Sequence, residues 1–153
     1  MVDLKALRER VLAASEADLE IDWLIAQALR PDIFANAQRI ERETQEAIDA
    51  AGLTAARIGR AHREALYSIP RYTAVTDVVF SLINEILPGW APSVGQNVHH
   101  GHWFAYIQMV EETNQDIIDF HGRAPTPALA LLSALLSALV SKQGGEDEVS
   151  TND

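Results

Sequence analysis

The sequence predicts an α+β fold in which helices pack on a small antiparallel sheet. Three observations carry that reading. Apolar residues recur at helical spacing through much of the N-terminal half and again after residue 126. Residues 90–109 switch to a period of two, the signature of strands. The chain has 153 residues, 48% of them hydrophobic and 22% charged, which suits one domain with a single core. That domain is expected over residues 1–142.

The elements follow in order. "LKALRERVLA" (4–13) sets Leu4, Leu7, Val11 and Leu12 at helical spacing behind Asp3, an N-cap residue type. In "SEADLEIDWLIAQALRP", Ser15 reads as the N-cap and Asp18 as the third helical position, close to a capping box, and Pro31 marks the end. Asp32 reads as the cap of a third, mostly surface helix over 33–50, which Gly52 breaks. Thr54 is a candidate cap for a fourth helix reaching about Tyr67, with Pro70 as its stop. "YTAVTDVVFSLINEILPGW" has the clearest amphipathic pattern, through Val75, Val78, Val79, Leu82, Ile83, Ile86 and Leu87, and is expected to be the central core helix.

Beyond Pro88-Gly89 the alternation of Trp90, Pro92 and Val94, and then of Trp103, Ala105, Ile107 and Met109, predicts a β-hairpin turning within residues 96–101. "IIDFH" (117–121) can supply a short third strand. Thr126 and Pro127 stand at the N-cap and first position of a last helix; proline has no amide hydrogen to leave unpaired there. Residues 143–153, "QGGEDEVSTND", are acidic and led by glycines, and are expected to be a disordered tail.

Charge and composition narrow the function. The formal net charge is -10, which opposes direct binding to nucleic acid and favours a partner with a basic surface. It is uneven: residues 1–50 hold six basic and eleven acidic side chains, whereas residues 51–70 hold Arg57, Arg60 and Arg63 against Glu64 alone. With no cysteine, disulfides, zinc-thiolate sites and cysteine nucleophiles are excluded. "ALALLSALLSALV" (128–140) is too short for a bilayer, which needs about 20 apolar residues. The charge-interrupted N-terminus lacks a signal-peptide pattern, so a cytoplasmic protein with no membrane contact is the expectation.

Four groups of residues are candidates for function. Glu16 with Glu20, and Asp18 with Asp22, stack at i, i+4 and form an acidic stripe that can imitate a row of phosphates or simply face solvent. Arg57, Arg60 and Arg63 form a basic stripe at i, i+3, i+6, suited to an acidic partner or to neighbouring glutamates. His99, His100 and His102 cluster in the hairpin loop; His100 and His102 make an H-x-H pair. Two imidazoles are too few for a metal, and a third ligand would have to come from His99, His121 or Glu111. Trp23, Trp90 and Trp103 read as packing residues. The sequence holds no Walker loop, dinucleotide fingerprint, helical H-E-x-x-H or G-x-S-x-G elbow, so no cofactor and no enzymatic role is expected.

Three stretches carry a resemblance: "ASEADLEIDWLIAQAL" (14–29), "RYTAVTDVVFSLINEILPGW" (71–90) and "GRAPTPALALLSALLSAL" (122–139). Through Asp22, Ile25, Ala26 and Ala28, then Tyr72, Thr73, Ala74, Asp77, Pro88, Gly89 and Trp90, then Thr126 to Leu131, the chain resembles small phage and prophage proteins with the phage ABA-sandwich domain. Residues 32–68 stand outside that pattern as a helical insert. The resemblance implies phage or prophage origin and brings no reaction or catalytic residue. Charge, size and resemblance together lead to the expectation of a non-enzymatic inhibitor of anti-CRISPR type, which contacts a host nucleic-acid-binding complex. A self-associating phage structural protein and a small metal-dependent enzyme using His99, His100 and His102 are the alternatives.

Overall fold

The structure is a computed structural model that describes residues 1–53, 59–110 and 117–149. In chain order these form α1 (Leu4–Ala13), α2 (Leu19–Leu29), α3 (Pro31–Ala50), α4 (Arg60–Tyr67), α5 (Thr76–Ile86), β1 (Ala91–Asn97), β2 (His102–Val110), β3 (Ile117–Ala124) and α6 (Pro127–Val149). The α+β class expected from the sequence is the one observed.

The three strands form one antiparallel sheet in the order β1-β2-β3. The alternation along β2 divides its side chains as the sequence predicts. Ala105 and Ile107 are buried, and Trp103 and Met109 pack against the core on the same face. Phe104 and Tyr106 point the opposite way. β3 continues beyond the expected "IIDFH" to Ala124 and follows the same rule: Ile118, Phe120 and Ala124 face inward, while Asp119, His121 and Arg123 face outward with Phe104 and Tyr106.

α6 lies across the inner face of the sheet, and α1 and α5 pack on it in turn. Residues Ala128–Leu136 are buried on every side of this helix, as its all-round apolar sequence requires. The central helix is therefore α6 and not α5, which is amphipathic and buries one face through Val79, Leu82 and Ile83. The segment Pro127–Gly144 is long and apolar enough to cross a membrane by length and composition; here the sheet, α1 and α5 cover its first part, and residues 141–144 are exposed. At Gly122 in β3 the helix comes so near that an added Cβ would lie 2.6 Å from the Ala134 amide nitrogen, and closer still to the Ala130 carbonyl oxygen.

Three boundaries differ from the sequence reading, and the expected cap of the fourth helix falls outside the described residues. Asp18, not Ser15, caps α2: its Oδ1 accepts from the amides of Glu20 and Ile21 at 2.8 and 3.2 Å, which a carboxylate does well at the positive helix end. Asp32 lies inside the first turn of α3, because Pro31 takes the first helical position that needs no amide hydrogen. Thr54 lies outside the described residues, and Gly59 caps α4 with φ of 78°. α6 runs on through Gly144 to Val149, so residues 143–149 of the expected tail are helical, since each residue added to an existing helix gains a hydrogen bond without new nucleation. The remainder of the tail lies outside the described residues.

The two first motif stretches meet in a buried polar clasp. Thr73 donates its amide to Asp22 Oδ1 at 2.6 Å, and its hydroxyl accepts from the Asp18 amide at 2.8 Å. The clasp locks the start of α2 to the turn before α5. Trp23 then fastens the insert, with its ring edge-on to Phe34 of α3 at 5.0 Å and to His62 of α4 at 4.9 Å.

Candidate functional site

The acidic stripe and the basic stripe, which the sequence separates, meet in one open groove of about 570 Å³. Asp18 and Glu20 at the start of α2 form one wall; His62, Arg63 and Tyr67 of α4, with Arg71, form the other. Glu16 is exposed just before α2. Arg60 is exposed and turns to Glu64 at 3.8 Å within its own helix. Arg57 lies outside the described residues.

His62 links the walls. Its Nε2 lies 3.2 Å from Glu20 Oε1 and its Nδ1 lies 3.1 Å from Glu41 Oε1 of α3. Carboxylates only accept, so the ring satisfies both contacts when it carries both protons. Tyr67 supplies a hydroxyl to the groove, and Arg63 and Arg71 supply fixed positive charge.

Asp22 departs from the surface position expected of it. It is fully buried, with Oδ1 bonded to Thr73 and Oδ2 without a hydrogen-bond partner, 3.6 Å from Arg71 Nε. Burial raises its carboxyl above the usual value of 3.8, an effect that the Thr73 bonds and Arg71 only partly oppose. Asp18 is largely spent on capping. Of the acidic stripe, Glu16 and Glu20 are the members that a partner can reach. Tyr72 is also buried, and its phenol is pushed up to about 12 by desolvation.

The hairpin histidines occupy a second place. His99 and His100 sit in the turn, where the His99 amide bonds Asn97 Oδ1 at 3.1 Å and the amides of His100 and Gly101 reach the Asn97 carbonyl at 3.2 and 3.0 Å. Gly101 has φ of 66°, the left-handed conformation that the turn needs. His100 and His102 do line the same hollow. Among the described residues, no group of three histidine, aspartate or glutamate side chains is placed to hold a metal ion; Glu111 lies outside them. His121 pairs with Asp119 at 3.0 Å.

Residues of both places escaped the sequence reading, His62 of the groove among them. Tyr67 and Arg71 join the groove only through the packing of α4 against α2. Arg123 joins the hairpin hollow because β3 is longer than expected; the spacing of Asp119, His121 and Arg123 by two residues was the available signal.

Comparison of the chain with family models, with curated proteins and with solved structures finds no match.

Proposed function

We propose that the protein is a non-enzymatic binding protein of phage or prophage origin. It acts in the cytoplasm by protein–protein contact, as an inhibitor of anti-CRISPR type that occupies a basic nucleic-acid groove on a host complex. The observation that carries this reading is α3, an exposed helix of 20 residues in which only Ala37 and Ile48 are buried. It is about 30 Å long at 1.5 Å per residue and presents Glu43, Glu46 and Asp49 to solvent beside Arg39 and Arg42, with Arg39 paired to Glu43 at 3.1 Å, so that the helix is acidic on balance. Trp23 and His62 brace it from behind. An acidic rod held in place before binding loses little entropy on docking, and its charge speeds encounter with a basic partner.

Glu20 in the groove and the exposed Glu16 before α2 add to the negative charge of this half of the molecule. Capture from host lysate by the immobilised chain, at low and high salt, tests the reading. The wild type retains a nucleic-acid-binding complex that is released by salt, and the triple reversal Glu43→Lys, Glu46→Lys, Asp49→Lys fails to retain it. Equal retention by the reversed variant would refute the electrostatic mode.

A further inference from the structure

The outer face of the sheet differs from the rest of the molecule. No helix among the described residues packs on it to the extent that α6 packs on the inner face. Its described carboxylate, Asp119, is matched by His121. Along the central strand it carries Phe104 and Tyr106, two rings at i, i+2 in edge-to-face contact with centroids 5.4 Å apart. Beside them, a hollow of about 390 Å³ is lined by Asn97, His100, His102 and Arg123.

Gly95 makes one ring available. A Cβ built there would lie 2.7 Å from Phe104 Cζ and 3.0 Å from Cε2. The tip of the Phe104 ring therefore reaches over Gly95 of β1. Phe104 and Tyr106 are each half-buried on this face. Arg123, paired with Phe104 in the β2–β3 register, lines the same hollow as that ring.

From these placements we propose that the outer face binds single-stranded nucleic acid. An unpaired base stacks on Phe104 with Tyr106 at its edge, and its phosphate is met by Arg123 with His100 and His102 as hydrogen-bond donors. An open sheet whose central strand carries alternating aromatics is the platform on which sheet-based RNA-binding modules stack unpaired bases. The chemistry is complementary at both ends, a π-face for the base and a guanidinium for the phosphate. The net charge of the chain limits the contact to few phosphates, so the salt dependence is shallow, with a slope of about 0.7 per phosphate.

Fluorescence anisotropy with a labelled single-stranded RNA of about eight nucleotides, within the reach of a compact module, tests the proposal on the full chain. Saturable binding is expected, and Phe104→Ala is expected to weaken it about tenfold. Phe104 stands outside the core, so the variant keeps the wild-type thermal melt; if it does not fold, Gly95→Ala tests the same point by displacing the ring. A duplex of the same sequence binds more weakly, because its bases are already stacked. The proposal is overturned by affinity weaker than about 1 mM, by equal affinity of wild type and both variants, or by a free nucleoside monophosphate binding as tightly as the strand. Binding of an acidic peptide in place of the RNA, or a dimer of the chain that Phe104→Ala dissolves, would also overturn it.

Discussion

Replacing Gly122 by alanine should be among the most damaging single changes in the protein, although it adds one methyl group. The new Cβ would lie 2.6 Å from the Ala134 amide nitrogen, where ordinary contact begins at 3.4 Å, and the Ala130 carbonyl is nearer still. Both obstacles are helix backbone, which cannot rotate away as a side chain can. α6 must therefore move off β3 by roughly 1 Å, and a gap of that size forfeits a quarter to a half of each dispersion contact across it. Overpacking of this kind costs about 1–3 kcal/mol and occasionally more. The buried row from Ala128 to Leu136 on the displaced helix places this case at the upper end, about 3 kcal/mol. In a chain of this length that lowers Tm by roughly 6–12 °C. Urea denaturation of both proteins measures it, with Gly95→Ala as the control: there the obstacle is the tip of the Phe104 ring, and the cost stays below about 1 kcal/mol. Equal stability of Gly122→Ala and wild type would refute the close approach of α6 to β3.

Three further outcomes follow from the clasp and the caps. Thr73→Val leaves the Asp18 amide without its 2.8 Å acceptor and should cost about 1–3 kcal/mol, while Thr73→Ser should retain most of the stability in the same denaturation assay. Thr126→Ala removes the side chain that caps α6 through the Leu129 amide and should cost about 1 kcal/mol. Burial raises the Asp22 carboxyl above 3.8, so the folded state holds this proton more tightly than the unfolded chain does. Its contribution is full below the usual carboxylate value and is lost as pH rises through the raised folded value. Asp22→Asn keeps an acceptor for the Thr73 amide and should remove that part of the pH dependence; denaturation midpoints measured from acid to neutral pH would reveal it, and unchanged curves would rule it out.

What the sequence made legible was whatever depends on near neighbours. Asp3, Thr126 and the Pro31 break follow from backbone donors within a few residues, and the division of Trp103 and Ala105 from Phe104 and Tyr106 follows from the two-residue period of a strand. What it concealed depends on partners far along the chain. Asp22 looks like a surface acid at i, i+4 from Asp18, and only Thr73, distant in sequence, turns it into a buried clasp. α5 has the better amphipathic pattern, yet α6 takes the centre because a helix apolar on all sides must be covered on all sides. Gly122 shows no signal at all until α6 is laid over it. The site divided in the same way: the stripes that hold Asp18, Glu20 and Arg63 could be read locally, but the meeting of these residues around His62 could not.

The reading of the protein as an acidic inhibitor is tested most directly by displacement. A host complex captured by the chain is loaded with its own labelled nucleic acid, and the chain is titrated in while release is followed by anisotropy. The account predicts stoichiometric release by the wild type and none by Glu43→Lys, Glu46→Lys, Asp49→Lys. Retention of the nucleic acid on the complex at saturating wild-type protein would contradict it.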